Sequence, residues 1–284
     1  MSTVEHIADF IGRTVEDYGY DGVLIGISGG IDSAVAAALC VRALGADRVR
    51  GLTLLERDSA PETGKDARTV CKHLQIEHEQ RDISPVLRKM GVYALVPSPW
   101  FAPRGMQERY TRKRWEEESE SPYLDDLYMR GDDEFLRGAA FYRAKHRARM
   151  AILYMEAERR RYAVCGATNK SEIRTGFYVK YGDDAADIEP LANLYKTQVR
   201  ELAEALNLPT PIRTKTPSPD LIPGLHDEKV LGIQYPELDR ILQKLDNGEA
   251  VADEGPKTVA AIRNVVTAAQ RRAARALSPP RSQA

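Results

Sequence analysis

The sequence predicts an α/β protein with a Rossmann-like, doubly wound parallel sheet that carries helices on both faces. Short apolar runs over 22–27, 49–55 and 162–166 are typical of buried strands. Helical stretches separate these runs, and strands that alternate with helices favour a parallel sheet. A glycine-rich turn directly follows the first run, and such sheets bind ligands at the carboxyl ends of their strands.

The first half of the chain alternates regularly between the two kinds of element. Apolar residues at helical spacing predict a helix over 3–17, ahead of the first strand. After that strand, a helix over 32–44 is expected to end near Gly45. The second strand leads into a helix over 65–73 and then into a weak third strand over 76–80.

The second half is predominantly helical around one further strand. The predicted helices cover 139–160, 195–206, 236–245 and 256–277. We expect a single domain over 1–277, followed by a flexible tail over 278–284.

Residues 97–138 interrupt the alternation and are predicted to form an insertion. This stretch contains four prolines, both tryptophans and an acidic cluster, and it shows no clear period. A long surface loop is the favoured interpretation. The alternative is a lid over the substrate, with Trp100, Trp115 or Tyr123 stacking on the bound molecule.

The composition is that of an ordinary soluble globular protein, which we expect to be cytoplasmic. The 284 residues are 43% hydrophobic and 29% charged, with a net charge of −1, which argues against general nucleic-acid binding. The three cysteines are far apart and are expected to be buried, inert thiols: Cys40, Cys71 and Cys165. The densest basic run is interpreted as a largely solvated helix face: Arg143, Lys145, Arg147 and Arg149.

The glycine-rich turn is the strongest functional signal in the chain. It consists of Gly26, Ile27, Ser28, Gly29, Gly30, Ile31, Asp32 and Ser33. A strand, a glycine turn and a helix start together form an anion site, because backbone N–H groups and the helix dipole point at the ligand. Asp32 would repel a bound phosphate, and a Mg²⁺ ion between the two removes that conflict.

Two common phosphate loops do not match this turn. No lysine follows the glycines as in a Walker loop, and the G-x-G-x-x-G order of dinucleotide-binding folds is missing. The turn resembles instead the SGGxDS pyrophosphate loop of the ATP pyrophosphatases. Members of that superfamily adenylate a substrate and release pyrophosphate.

Further motifs narrow the resemblance to one family. With the glycine turn, an ordered set of segments resembles ammonia-dependent NAD synthetase: 169–172, 175–183, 187–191, 194–199, 215–221 and 227–228. The resemblance implies that ATP adenylates the nicotinate carboxylate of deamido-NAD and that ammonia then displaces AMP. It also implies a homodimer, because the family builds its dinucleotide site across a two-fold interface.

The resemblance assigns roles to individual residues. The glycine turn, Lys196 and Ser218 match ATP-binding positions, with Asp32 and Glu172 matching the magnesium ligands. Asp32, Glu172 and Lys196 are therefore the expected catalytic residues. Positions that match deamido-NAD contacts are Arg147, Lys180 and Asp187. Arg57 and Ser59 fall in the family's adenine-side loop and are candidates by position only.

Two departures from the family pattern concern the acid substrate. The family usually carries His-Lys-Arg near its C-terminus, whereas this chain has no histidine in that region, where Arg272 or Arg275 could substitute. The segment before Arg147 is also longer than the family's. A different carboxylic acid, amidated on the same scaffold in a specialised pathway, is therefore the main alternative.

Two other functions have less support in the sequence. An enzyme that modifies tRNA or transfers sulfur should show a basic face, an added domain or paired catalytic cysteines. A nucleotide sensor need not keep Asp32, Glu172 and Lys196 together. The chain leaves no room for a glutaminase domain, so ammonia, free or supplied by a separate glutaminase, is the expected nitrogen donor.

Overall fold

A parallel sheet forms the centre of the structure, a computed structural model that describes residues 2–96, 105–106, 119, 121–216 and 226–273. Within these ranges the sheet has four strands in the order β3-β2-β1-β4. They are β1 (Gly22–Gly26), β2 (Val49–Leu55), β3 (Glu77–Asp82) and β4 (Tyr162–Cys165). Adjacent strands are parallel throughout, as the sequence predicted.

Helices account for most of the remaining described residues. Before β4 they are α1 (Thr3–Asp17), α2 (Ile31–Leu44), α3 (Thr63–Leu74), α4 (Ser84–Lys89), α5 (Val92–Leu95), α6 (Pro122–Tyr128) and α7 (Asp133–Glu158). After β4 they are α8 (Lys170–Thr175), α9 (Lys196–Ala205), α10 (Thr210–Arg213), α11 (Asp227–Leu231), α12 (Tyr235–Asn247) and α13 (Pro256–Ala273). None of the helices in the described part of the chain is long and apolar enough to span a membrane.

The two faces of the sheet bury separate apolar cores, which confirms the doubly wound arrangement. Val23 and Ile25 of β1 pack with α1, α2, α3 and α9 on one face. Leu24 of the same strand packs with α4, α5 and α7 on the other. Successive side chains of a strand point to opposite faces, so a strand covered on both sides needs an unbroken apolar run.

The glycine turn lies where the order of the strands reverses. The chain runs outward from β1 through β2 to β3, then returns across the sheet to place β4 on the other side of β1. The turn after β1 and the segment after β4 are therefore neighbours at the carboxyl edge of the sheet. This is the position at which open α/β sheets bind their ligands.

Part of the predicted insertion is packed against the body of the protein. Helix α6 lies inside 97–138, and its residues Tyr123 and Leu127 share an apolar cluster with Ala268 of α13. A surface loop does not describe this part of the segment. Most of 97–120, including both tryptophans, lies outside the described residues, as does the tail over 278–284, so the limits of the insertion stay a prediction.

The basic run on α7 is not a solvated face, and the interpretation from the sequence is wrong for two of its members. Lys145 is fully buried, and Arg143 is 9% exposed. The Nζ of Lys145 donates to Glu56 at 3.0 Å and to Asp58 at 2.6 Å, both after β2. Distant carboxylates compensate the buried charge, and no pattern local to the helix reveals them. The three cysteines are buried and free, as predicted.

Candidate functional site

The turn after β1 has the geometry of an anion-binding loop. Gly29 has a φ of +73°, and a Cβ built there would lie 2.7 Å from the Cβ of Asp66, so only glycine fits. The hydroxyls of Ser28 and Ser33 lie 3.1 Å apart. The amide of Gly30 donates to the Ser28 hydroxyl at 3.2 Å, so the loop is braced by its own side chains.

Helix α2 continues directly from this loop into the core. It begins at Ile31 with Gly30 as its N-cap, and no side chain caps its first amides. Unpaired amides at the start of a 14-residue helix and the positive end of its dipole favour an anion at this position. The helix is buried almost entirely from Ala34 to Cys40, which fixes the loop against the sheet.

The segment after β4 brings a second carboxylate to the same edge. Asn169 caps α8, and its backbone N–H donates to the carboxylate of Glu172 at 3.1 Å. The amide of the Asn169 side chain donates to Asp32 Oδ1 at 2.9 Å. One asparagine therefore ties the two carboxylate-bearing helix starts together.

Lys196 links these carboxylates through its ammonium group. Its Nζ lies 2.6 Å from Asp32 Oδ2 and 3.6 Å from Glu172 Oε1, and the residue is 1% exposed. Burial opposes its charge, but the facing carboxylates outweigh burial and raise the pKa of Lys196. Burial raises the pKa of Glu172 well above its usual range, and Asp32 adds to that rise against the opposing charge of Lys196.

Asp227 is a third carboxylate at this edge, and the sequence analysis assigned it no role. It is 4% exposed, its Oδ2 accepts from the hydroxyl of Tyr235 at 3.2 Å, and its Oδ1 has no hydrogen-bond partner among the described residues. Burial raises its pKa, although the charge of Lys196 opposes the rise. The one signal was its place in the Asp227-Glu228 segment, which the family resemblance includes.

These carboxylates suit a hard divalent cation. Mg²⁺ in proteins is held by one or two carboxylates together with substrate phosphates, and Asp32 and Glu172 are two carboxylates beside the glycine loop. Asp227 adds a third carboxylate whose charge acts on Lys196. Within the described ranges, no three acidic, imidazole or thiol side chains form a metal cage on their own.

A cavity of about 840 Å³ opens in front of these groups. Its polar end is formed by the glycine loop, Asp32, Glu172, Lys196 and Asp227. Its remaining walls include apolar residues of β2 and α7, among them Leu54 and Leu153, and aromatic residues such as Tyr123 and Phe177. The volume is ample for a nucleotide, and the combination of apolar walls with convergent polar groups is typical of a ligand site.

The three residues matched to deamido-NAD do not line this cavity in the single chain. Arg147 is exposed, and its Nε donates to the carbonyl of Lys180 at 3.1 Å. Asp187 is also exposed and accepts from the backbone N–H of Val164 at 2.8 Å, alongside β4. Ser218 lies outside the described residues.

The sequence analysis named four weaker candidates, and two of them line the cavity: Ser59 and Arg272. Ser59 lines the cavity, whereas the guanidinium of Arg57 pairs with Asp58 at 2.8 Å and lies 4.1 Å from the centre of the Tyr93 ring. Arg272 lies at the cavity wall with its guanidinium already paired to Asp126 at 2.8 Å. Arg275 lies outside the described residues.

Arg272 belongs to a buried cluster that sequence reasoning missed. Its guanidinium also donates to the carbonyls of Gly176 at 2.9 Å and Tyr178 at 3.1 Å. Asp126 accepts in addition from Arg143 at 2.9 Å. The cluster joins α6, α7 and α13 to the loop that leads to Lys180, and its acid lies in the segment for which the sequence predicted a loop.

Known proteins are similar in sequence to this chain over most of its length. The sequence profile of the family described as NAD synthase matches residues 3–100 and 130–275. A relative from Thermotoga maritima named NH3-dependent NAD+ synthetase is 52% identical over 262 residues, covering 92% of this chain and 93% of its own. Its namesake from Thermotoga neapolitana is 51% identical and covers 92% of this chain and 90% of its own.

Two solved structures extend the comparison. The structure of NMN synthetase from Francisella tularensis has a TM-score of 0.75 and 28% identity, covering 99% of both chains. The structure of NH3-dependent NAD synthetase from Campylobacter jejuni, at 23% identity and a TM-score of 0.69, covers 98% of this chain and 99% of its own and supports the same fold. With the profile matched over most of its length, the chain belongs to the NAD synthase family.

Proposed function

We propose that this protein converts deamido-NAD to NAD with ATP and ammonia, releasing AMP and pyrophosphate. The observation that carries the proposal is the joined set of Asp32, Glu172 and Lys196 beside the glycine loop, in the wall of a cavity of about 840 Å³. The relatives at 51% and 52% identity carry the name of this activity. The experiment is turnover of the purified chain with ATP, Mg²⁺, ammonium and a panel of acids, among which deamido-NAD should react fastest.

The chemistry requires that a poor acyl donor be activated. In the first step a nicotinate oxygen attacks the α-phosphorus of ATP, the bond to the β-phosphate oxygen breaks, and pyrophosphate leaves. The amides of the glycine loop and the ammonium of Lys196 stabilise the charge on the departing pyrophosphate. In the second step ammonia attacks the acyl carbon, AMP leaves with the carboxylate oxygen, and one proton is released.

Asp32 and Glu172 are the residues that would hold Mg²⁺ in this reaction. The ion, when bound, neutralises charge on the phosphates during pyrophosphate release. The side chain of Asn169 would then orient Asp32, and its backbone N–H would orient Glu172, because it already donates to both carboxylates.

Ammonia is the proposed nitrogen donor, and glutamine alone should support almost no turnover. A glutaminase needs an activated thiolate, whereas burial raises the pKa of Cys71 to about 12 and contributes to raising that of Cys165. The measurement compares NAD formation with ammonium against glutamine. Turnover with glutamine by the purified single chain would contradict this prediction, whereas turnover restored by an added glutaminase would agree with it.

The acid substrate is proposed to bind across a homodimer, because Arg147, Lys180 and Asp187 lie outside the cavity wall of one chain. A second copy could bring the exposed Arg147 to a dinucleotide that enters the partner's cavity. An isologous dimer is also the commonest oligomer. Sedimentation at micromolar concentration should show a dimer, and a fully active monomer would contradict the proposal.

Replacement of Arg147 by alanine should raise the KM for deamido-NAD about ten- to a hundredfold. A hydrogen bond to a charged group contributes about 1.5–3 kcal/mol, and each 1.4 kcal/mol is about a factor of ten. The KM for ATP should change little, because its phosphates bind at the separate glycine loop. Arg13→Ala, at another exposed arginine, is the matched control. An unchanged KM for deamido-NAD in Arg147→Ala would remove this residue from the acid site.

A mononucleotide acid is the second candidate substrate. It is favoured by the TM-score of 0.75 to the NMN synthetase structure and by the missing C-terminal histidine. Competition between nicotinic acid mononucleotide and deamido-NAD at equal concentration separates the two. A kcat/KM that favours the mononucleotide would replace the first proposal by the second.

A further inference from the structure

We propose that Lys196 competes with the divalent cation for the carboxylates of Asp32 and Glu172, so that the cation binds well only when ATP draws the lysine away. The inference rests on the proposed function, because the metal assignment belongs to it. Its own basis is the ion pair itself, in which one ammonium group faces both carboxylates.

The ammonium group and a cation held between the two carboxylates would use the same oxygens. The ammonium nitrogen lies 2.6 Å from Asp32 Oδ2 and 3.6 Å from Glu172 Oε1. A Mg²⁺ ion bound by the same oxygens would lie about 2.0–2.1 Å from each. The second oxygen of Asp32 accepts from Asn169, and that of Glu172 accepts from a backbone amide. The oxygens that face Lys196 are thus the ones left for a cation.

A displaced ammonium group has other partners close by. The phosphates of ATP are the stronger one, since they bring several negative charges to the adjacent glycine loop. Asp227 is the other, because its charge already acts on Lys196 and its buried Oδ1 has no hydrogen-bond partner in the described part of the chain. Binding of the metal ion and binding of ATP should therefore strengthen each other, because both favour movement of the Lys196 side chain away from Asp32 and Glu172.

Movement of Lys196 from the carboxylates to the phosphates explains why the charges of three carboxylates act on this one ammonium group. A lysine that stays on the phosphates would leave that arrangement unexplained. Because the ammonium group is buried, the arrangement is costly unless a second cation arrives. If Lys196 stayed on Asp32 after ATP bound, its one charge would be shared between the carboxylates and the phosphates. When the two cations change places, the divalent ion pairs with the carboxylates and Lys196 pairs with the phosphates.

The test measures Mn²⁺ binding in the absence of nucleotide by electron paramagnetic resonance. Lys196→Met should bind Mn²⁺ at least tenfold more tightly than the wild type. Lys196→Arg keeps the competing charge and should remain as weak as the wild type. Lys215→Met is the matched control, because this cavity lysine pairs with Asp66 at 2.6 Å, away from the proposed metal ligands. It should leave Mn²⁺ affinity unchanged.

Two further measurements test whether the tighter Mn²⁺ binding occurs at the carboxylate of Asp32. The gain should vanish in the double variant Asp32→Asn/Lys196→Met, and Mn²⁺ should raise the unfolding midpoint of Lys196→Met more than that of the wild type. Lys196→Gln serves the same comparison if the methionine variant fails to fold. An uncharged variant with no gain, or a gain that persists without Asp32, overturns the inference. NAD formation by the wild type tests the proposed function separately and can succeed when this inference fails.

Discussion

Replacing Asp32 by asparagine, or Glu172 by glutamine, should lower the rate of pyrophosphate release by about 100-fold or more. Each change keeps the size of the side chain and removes one negative charge from the site that would hold Mg²⁺. Asparagine at 32 keeps one oxygen that can accept from Lys196, but it leaves that buried ammonium group without the opposing charge. The loss should therefore appear in kcat of the folded protein, in addition to the lower stability expected when a buried ion pair is broken.

The measurement is pyrophosphate release at several Mg²⁺ concentrations, with circular dichroism to verify folding. Asp9→Asn, which removes an exposed carboxylate paired with Arg13, is the matched control and should retain wild-type activity. Turnover at the wild-type rate at low Mg²⁺ in either site variant would contradict the metal assignment.

Replacing Lys145 by methionine should lower the free energy of unfolding by about 3–5 kcal/mol. The ammonium group is fully buried between Glu56, which is also fully buried, and Asp58, which is 13% exposed. Methionine fills a similar volume but removes the ammonium group from the buried Glu56 and leaves Asp58 paired with Arg57 alone. Removing one partner of a buried ion pair is costly because the desolvated charge on the other remains.

The loss of unfolding free energy in Lys145→Met should depend on pH, because it depends on the charge of the carboxylates. Burial raises the pKa of Asp58, but the Arg57 hydrogen bond and the charge of Lys145 outweigh it and hold that pKa below the 3.8 of a free carboxyl. Its ionised form thus stabilises the protein above about pH 4, and this stabilisation is lost as the pH falls through the native pKa. The deficit of Lys145→Met should shrink over the same range.

Urea unfolding at pH 7 and at pH 3 measures both quantities. Arg137→Met breaks an exposed ion pair with Asp133 and should cost less than about 1 kcal/mol. A loss no larger than this in Lys145→Met would mean that the buried pair contributes little.

The sheet and the glycine loop were predictable because their signals are local. A strand covered on both faces reads as an apolar run, and Gly29 at positive φ beside Asp66 requires a residue without a Cβ. β3 was harder to place because it is a polar edge strand, predicted over 76–80 and observed as Glu77–Asp82. An edge strand has one neighbour and little burial, so its apolar signal is weak.

The long-range pairs could not be predicted from one sequence. Lys145 and its two carboxylates are more than 80 residues apart, and its burial contradicts the usual behaviour of a charged run. Asp126 lies in a segment without a clear period, yet it is held between two arginines of other helices. In both cases tertiary contacts overrode the local pattern.

The fate of the nicotinate oxygen tests the central claim most directly, that the chain activates its acid substrate as an adenylate. Deamido-NAD labelled with ¹⁸O in the carboxylate is incubated with the purified protein, ATP, Mg²⁺ and ammonium, and the products are analysed by mass spectrometry. Attack of the carboxylate on the α-phosphorus predicts one labelled oxygen in AMP and none in pyrophosphate. Unlabelled AMP, or ADP together with labelled phosphate, would contradict adenylation at this site.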